Sequence, residues 1–160
     1  MIEPGVSPQH ASAVVIGEGA VLMKGAAGSG KSALVVDLLA FAAARGLFAR
    51  LVADDRVLLR ARGGQLLVKP HPAIAGLIER RGLGLTPLVH EACAVVRLVV
   101  ERMAEPPQRL PEPADLVTVI EGITLPRLAI PAGPERGHGH EGLVLAALVL
   151  MAEAAPDQRI

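Results

Sequence analysis

Eight consecutive residues, Gly25 to Ser32, have the types and the spacing that suit the binding of phosphate groups. They read Gly-x-x-x-x-Gly-Lys-Ser, follow an apolar run and precede a segment rich in helix-forming residues. Glycines let backbone N–H groups approach phosphate oxygens, and a helix that starts there directs its N-terminal dipole at the same anion. The lysine neutralises the β- and γ-phosphates, and the serine hydroxyl is the expected Mg²⁺ ligand. The predicted nucleotide-binding residues are Gly25, Ala26, Ala27, Gly28, Ser29, Gly30, Lys31 and Ser32.

An acidic pair, Asp54–Asp55, follows the next apolar run, Phe48 to Ala53. A phosphate-binding loop of this kind needs a second acidic group near the Mg²⁺ ion, at the end of a neighbouring strand. Because side chains alternate along a strand, two adjacent carboxylates cannot both point at one site. We expect one to serve the metal or act as a base while the other braces the loop, and the residues alone do not assign these roles. A solvated acidic turn is the alternative.

The composition argues against several classes of partner. The 160 residues include 16 basic and 16 acidic ones, so neither nucleic acid nor a membrane surface is an expected partner. There are two Phe and no Trp or Tyr, and thus no aromatic platforms for bases. The guanine-specific Asn/Thr-Lys-x-Asp motif is absent from the sequence, which disfavours a GTPase. With no secretory leader pattern and no apolar run of bilayer length, the sequence predicts a cytoplasmic protein. Its single cysteine, Cys93, is expected to be a small buried residue.

Strands are expected to outnumber helices, in a single α/β domain spanning residues 1–160. Two longer helices are predicted, Ser32–Arg45 ending before Gly46 and Glu141–Ala155. A short third helix is expected from Pro72 to Arg81, with the proline in its first turn. The predicted strands are Ser12–Ile16, Ala20–Lys24, Phe48–Ala53, Val57–Arg60, Gln65–Lys69, Val95–Glu101, Leu116–Ile120 and Ile123–Ile130. The first two and the fourth and fifth should form hairpins, and Pro126 places the last strand at an edge or a bend.

Four motifs, in this order along the chain, resemble the catalytic domain of bacterial HPr kinase/phosphorylase. They are His10–Ile16, Gly25–Ser32, Leu51–Asp55 and Ile78–Gly84, and Gln108–Leu110 and Leu128–Arg136 extend the resemblance over nearly the whole chain. The acidic pair and the Glu-Arg-Arg-Gly-Leu-Gly stretch are not general features of phosphate-binding loops. The resemblance implies an α/β, P-loop-containing kinase domain of the HPr kinase/phosphoenolpyruvate-carboxykinase-like type, with a strand-rich mixed sheet and few helices. It also implies a short form without the N-terminal domain of full-length members.

The resemblance further implies roles for individual residues. Asp55 matches the aspartate that acts as general base toward the substrate serine and as general acid in the reverse reaction. His10 matches the active-site histidine of the family. Glu79 matches a metal-binding glutamate, so that Ser32 and Glu79 are the implied metal ligands. Arg109 matches an arginine on a mobile loop that positions the reacting groups, although a solvated loop arginine is an equally plausible interpretation of its surroundings.

The implied catalytic set is Asp55, His10, Lys31 and Arg109, and the implied cofactors are ATP and Mg²⁺. The implied partner is an HPr-like phosphocarrier of the phosphotransferase system. Members of the family form homo-oligomers, with a hexamer as the family's assembly. The segment Pro131–Arg136 matches the one tied to phosphorolysis.

Three functions remain open at this level. The favoured hypothesis is a protein-serine kinase that transfers the γ-phosphoryl group of ATP to an HPr-like protein, with the reverse phosphorolysis as a further activity. Ala26 and Ala27 replace polar side chains of the family's loop, which favours an ATP-sensing regulatory module with little turnover. A small-molecule kinase on a related scaffold is the third hypothesis.

Overall fold

The computed structural model describes residues 3–133 and 140–153, with side chains up to residue 151. Within these ranges the chain forms eleven strands and two α-helices, so strands outnumber helices as predicted. The strands are β1 (Ser7–Gln9), β2 (Ser12–Ile16), β3 (Gly19–Lys24), β4 (Ala49–Ala53), β5 (Val57–Arg62), β6 (Gln65–Pro70), β7 (Leu77–Arg80), β8 (Gly84–Pro87), β9 (Ala94–Met103), β10 (Val117–Ile120) and β11 (Ile123–Pro131). The helices are α1 (Lys31–Ala44) and α2 (His140–Glu153).

Nine strands form one mixed sheet, whose main path runs β1-β5-β6-β9-β3-β2-β4, while β11 pairs with β9 and β10. β2 and β3 are antiparallel, as are β5 and β6, which confirms both predicted hairpins. β3 is parallel to β9, β9 is parallel to β11, and β4 is antiparallel to β2 and hence parallel to β3. The carboxyl ends of β3, β4, β9 and β11 therefore meet at one edge of the sheet. Ligands of open α/β sheets bind at such an edge.

The middle of the sheet is buried on both faces. All of β2 and the first five residues of β3 are buried, and apart from Ser12 they are apolar residues or glycine, as is typical of strands that are covered on both sides. On one face the strands pack under the two helices, with Val21, Met23, Leu34, Leu38 and Val144 in contact. On the other face they pack against the β5–β6 hairpin, with Leu22, Val52, Leu59, Leu66 and Val68 in contact.

The end of α1 agrees with the predicted glycine cap. Gly46 adopts a left-handed φ of 67°, and its N–H donates to the carbonyl of Ala43. The N–H of Leu47 donates to the carbonyl of Ala42. This pair of bonds is a Schellman motif, which satisfies carbonyls that a helix end leaves unpaired.

The prediction of a helix from Pro72 to Arg81 is wrong. Only Pro72–Ile74 form a single 3-10 turn, after which β7 and β8 pair as a separate antiparallel hairpin. Gly76 ends the turn with a φ of 74°, and a Cβ there would lie 2.7 Å from Nδ1 of His90. Ile78 is buried against the core beneath the helices, so tertiary packing of alternate residues decides the conformation.

Two further predictions are settled by the structure. Cys93 is exposed rather than buried, because β9 begins one residue later. Pro126 lies where β11 changes partner, from antiparallel pairing with β10 to parallel pairing with β9 from Arg127 onward.

The closing helix is confirmed as α2, and the two residues after Glu153 in its predicted range lie outside the described part of the chain. Neither of the helices described is long and apolar enough to cross a bilayer.

Candidate active site

The phosphate-binding loop, Gly25 to Gly30, leaves the end of β3 and enters α1. Gly30 is the N-cap of the helix, with a φ of 95°, and a Cβ there would lie 2.7 Å from the carbonyl oxygen of Gly133. Gly28 has a φ of 77° and faces open space, since no described atom lies within 4 Å of the place a Cβ would take. The loop is thus an open cradle at a helix N-terminus, and such a cradle binds phosphate.

Lys31 folds back onto this loop. Its Nζ donates to the carbonyl oxygens of Gly25 at 2.7 Å and Ala26 at 2.9 Å, and the residue is only 6% exposed. Burial lowers the pKa of the Lys31 ammonium below its ordinary 10.5, while Asp55 and Asp54 act in the opposite direction. The ammonium is therefore already held at the loop where phosphate charge would have to be neutralised.

Asp54 connects the loop to the sheet edge. It is buried, and its carboxylate accepts hydrogen bonds from Ser32 Oγ at 2.8 and 2.9 Å and from Ser12 Oγ at 2.7 Å. The backbone N–H of Glu79 donates to the same carboxylate at 3.2 Å. Three donors offset the cost of taking a carboxylate out of water. Asp54 is thus the acid that lies beside the predicted Mg²⁺ ligand.

Asp55 has a different partner. Its Oδ1 lies 3.1 Å from His10 Nδ1, and the two side chains are about half exposed, 55% for the aspartate and 47% for the histidine. The backbone of Asp55 is left-handed, with a φ of 66°, and its N–H donates to Ser12 Oγ at 3.2 Å. The adjacent carboxylates are therefore divided between two sets of contacts, because both lie beyond the end of β4 and the left-handed turn at Asp55 directs its side chain away from that of Asp54.

Glu79 reaches this cluster through its backbone only. Its side chain is exposed and makes no hydrogen bond with another described residue, and within 3–133 and 140–153 no three His, Cys, Asp or Glu side chains could hold a metal together. Mg²⁺ commonly takes only one or two protein oxygens when a nucleotide supplies others. Ser32 and Asp54 offer such oxygens at adjoining positions, so the residues fit the ion. Ligation by Glu79 stays a prediction.

Arg102, at the end of β9, braces the loop from behind and was not among the predicted site residues. Its buried guanidinium donates through Nε to the Ser29 carbonyl at 2.9 Å and through a terminal nitrogen to the Gly133 carbonyl at 3.0 Å. Burial lowers the pKa of Arg102, against the raising effect of Asp37. Of the predicted segment Pro131–Arg136, the first three residues are described, and residues 134–136 lie outside the described ranges.

Arg109 is exposed in the loop between β9 and β10, and it makes no hydrogen bond or ion pair with the residues that the structure describes. The base of that loop is held by Arg127, which donates to Glu101 Oε2 at 3.0 Å and to the carbonyl of Asp115 at 2.8 Å. The structure therefore brings together Lys31 and the acidic pair with its histidine, and shows no contact between Arg109 and that group.

Little in the sequence indicated the role of Arg102. Arg102 is the penultimate residue of β9, a strand that also carries Arg97 and Glu101, so its charge alone does not distinguish it from a solvated residue. Ser12 is similar: it is a polar residue at the start of a fully buried strand, 0% exposed, and it links both aspartates.

Comparison with known proteins finds similarity to HPr kinases. No protein-family model matches the sequence. A stretch of 81 residues, 51% of the chain, is 36% identical to the HPr kinase/phosphorylase of Mycoplasma mycoides subsp. mycoides SC, and spans 24% of that protein. Among solved structures, the HPr(Ser) kinase/phosphatase from Coxiella burnetii is similar with a TM-score of 0.70 and 27% identity, over 92% of this chain and 94% of that chain.

The chain has an HPr kinase fold. The predicted resemblance and the predicted fold class, a strand-rich mixed sheet with few helices, are both confirmed. The matched stretch spans only about a quarter of the curated relative's length.

Proposed function

We propose that this chain is a protein-serine kinase of the HPr kinase type. It binds ATP with Mg²⁺ at Gly25–Ser32 and transfers the γ-phosphoryl group to a serine of an HPr-like phosphocarrier. The observation that carries the proposal is the division of the acidic pair beside a phosphate-binding loop: Asp54 pairs with Ser32, and Asp55 pairs with His10. A kinase of this type needs one acid at the metal and one at the proton of its nucleophile.

The nucleotide end of the site is formed by the loop. The backbone N–H groups of the loop and the start of α1 bind phosphate oxygens, and the Lys31 ammonium exchanges its loop carbonyls for them. Ser32 and Asp54 would hold Mg²⁺, with Glu79 as the further ligand that the family resemblance implies. Bound there with the nucleotide, Mg²⁺ neutralises charge on the β- and γ-phosphates.

The acceptor end of the site is formed by Asp55 and His10. A serine hydroxyl is a weak nucleophile, so Asp55 accepts its proton while the serine oxygen bonds to the γ-phosphorus and the bond to the β-phosphate oxygen breaks, releasing ADP. His10 orients the carboxylate, and Arg109 is proposed to help position the reacting groups. In phosphorolysis an oxygen of inorganic phosphate attacks the phosphorus of phosphoserine, the serine O–P bond breaks, and the proton of the phosphate passes through Asp55 to the serine oxygen, which yields pyrophosphate and free serine.

The exposure of this end favours a protein acceptor. Asp55 and His10 are about half exposed, whereas a kinase of small metabolites benefits from an enclosed site that excludes water. We also propose that the protein acts in the cytoplasm as a homo-oligomer. The outer side of α2 supports an oligomer because Leu143, Val149 and Leu150 are 48%, 57% and 65% exposed.

The test is incubation with γ-labelled ATP, Mg²⁺ and the HPr-like protein of the same organism. We expect label on a serine of that protein, and loss of labelling in Asp55→Asn. Glu18→Gln is the matched control, because it removes an exposed carboxylate in the β2–β3 turn. Binding of ATP without transfer to any acceptor would favour the regulatory module instead. Label on metabolites alone would favour a small-molecule kinase.

A further inference from the structure

The outward face of the β5–β6 hairpin forms the floor of a groove of about 400 Å³, which we call the hairpin groove. Alternate residues of a strand share a face, so five side chains project into it. These are Leu58, Arg60 and Arg62 from β5 and Leu67 and Lys69 from β6. The opposite face of the same hairpin is buried in the core. The floor is therefore rigid, since the core fixes the backbone from which it projects.

The walls of the hairpin groove come from other segments. Glu3 and Val6 line one side, before β1, and Pro72, Ala75 and His90 also line the groove. Its volume lies within the ~300–1,000 Å³ that small-molecule sites usually have. Its lining includes no residue of the phosphate-binding loop and neither aspartate of the acidic pair.

The charges of the hairpin groove are unbalanced. Arg60 pairs with Glu3 at 3.2 Å, but Arg62 and Lys69 make no ion pair with any residue in the described part of the chain. The strand register sets Leu58 opposite Lys69 and Leu67 opposite Arg60. Side chains on opposing strands are neighbours, so apolar and cationic groups alternate across the floor. Lys69 thus stands opposite Leu58 at one end of the floor and Arg62 diagonal to Leu67 at the other, and neither cation has an anion among the described residues.

We propose that the hairpin groove binds a small molecule with an aliphatic body and one carboxylate. The aliphatic part covers Leu58 and Leu67, which removes apolar surface from water. The carboxylate lies at Arg62, which is diagonal to Leu67 at one end of the floor, and supplies the negative charge that this cation lacks among the described residues. A free inorganic anion would leave the leucines uncovered, and an uncharged hydrocarbon would supply no anion to Arg62. The site is independent of the kinase proposal and of nucleotide.

Octanoate is a suitable probe, because it has an eight-carbon body and one carboxylate. The experiment is an NMR titration of the whole chain, with ¹³C-labelled leucine methyl groups, at octanoate concentrations below micelle formation. The methyl resonances of Leu58 and Leu67 should shift and then reach a plateau when the groove is fully occupied. Arg62→Glu should weaken this binding about tenfold, since an attraction becomes a repulsion. Arg45→Glu is the matched control and should bind as wild type, because Arg45 is an exposed arginine at the end of α1.

Matched probes separate the two parts of the proposal. Octylammonium has the same body and the opposite charge, and it should not bring the shifts of these methyl resonances to a plateau. Acetate should not shift these resonances. Equal binding of octylammonium, or of acetate, overturns the proposed ligand class. Octanoate shifts confined to the exposed leucines of α2, Leu143 and Leu150, overturn the site itself. Leu67→Asp gives a second check, because a carboxylate at this position should weaken octanoate binding. An unchanged spectrum of the residues outside the groove confirms that this variant is folded.

Discussion

The hydroxyl of Ser32 donates a hydrogen bond to the buried carboxylate of Asp54 at 2.8 Å, while the next residue, Asp55, faces His10 at 3.1 Å. Two neighbouring aspartates thus belong to different environments. One is buried and fully hydrogen-bonded, and the other is half exposed in a left-handed turn. Four consequences of this arrangement and of the loop beside it can be measured.

Asparagine substitutions of the two aspartates should have different effects. Asp55→Asn should leave Mg²⁺-dependent nucleotide affinity unchanged and slow phosphoryl transfer by about 10²–10⁴, the usual effect of losing a general base. Asp54→Asn should weaken nucleotide affinity and lower the free energy of unfolding by about 1–3 kcal/mol, because one of the two acceptor oxygens becomes an NH2 group that cannot accept from the buried donors. Calorimetric titration and chemical denaturation measure both. Equal loss of nucleotide affinity in the two variants would contradict this division.

Methionine substitutions of Arg102 and Arg109 should also have different effects. Arg102→Met leaves the carbonyls of Ser29 and Gly133 without their donors, so we expect a lower midpoint of thermal unfolding and weaker nucleotide binding. Arg109→Met should change neither quantity, because Arg109 is exposed, and should reduce only the transfer rate. The two variants are compared by thermal unfolding with and without nucleotide and by the labelling assay. Unaltered nucleotide affinity in Arg102→Met would show that the loop does not depend on this brace.

Alanine substitutions at two glycines of the loop should separate the cost of a positive φ from the cost of a steric clash. Both Gly28 and Gly30 have positive φ, which costs alanine about 1 kcal/mol. At Gly30 the added Cβ would also lie 2.7 Å from a backbone oxygen of Gly133, whereas at Gly28 it meets no described atom. Chemical denaturation should therefore find Gly30→Ala clearly less stable than Gly28→Ala. At Gly28 the main loss should be of nucleotide affinity, since its Cβ occupies the open space of the cradle.

Nucleotide affinity should fall at alkaline pH through Lys31. Burial lowers the pKa of this ammonium in the folded chain below 10.5, so it loses its proton at a lower pH than an ordinary lysine, and the phosphates then lose their counter-charge. Between the lowered folded pKa and 10.5 the unfolded chain binds more protons, so Lys31's own contribution to stability rises with pH while affinity falls. Binding isotherms and denaturation curves across this range test both signs.

Lys31→Arg is the control for this pH dependence. Arginine keeps its charge throughout the range, so the alkaline loss of affinity should disappear even if affinity is weaker overall. An identical pH profile in the variant would assign the titration to another group.

The parts of the site that are continuous in sequence could be predicted. The loop from Gly25 to Ser32 carries its own geometry, because the positions of its glycines and the start of the helix depend on local backbone conformation. The β2–β3 hairpin and the Gly46 cap followed from local signals in the same way. The separation of Asp54 from Asp55 was expected from strand alternation, but in the structure it comes from the left-handed turn at Asp55, just beyond the end of β4.

The parts of the structure that depend on tertiary contacts could not be predicted from the sequence. Pro72 imitates the first turn of a helix, and only the burial of Ile78 and the approach of Gly76 to His90 show that a hairpin follows. Arg102 is 73 positions from Ser29 in sequence, and no periodicity indicates that the end of β9 lies behind the loop. The three donors that meet at Asp54 come from three separate segments.

The common direction of β3, β4, β9 and β11 has a consequence for how such a protein changes over generations. The segments that would handle phosphates and acceptor all leave the same rim of the sheet, while the apolar residues that keep the chain folded lie below it. Insertions or replacements in the stretch between Met103 and Leu116 lengthen a surface connection and leave the core residues untouched. Under the proposed function, changes in this connection would alter the acceptor side of the site and leave the Gly25–Ser32 loop as it is.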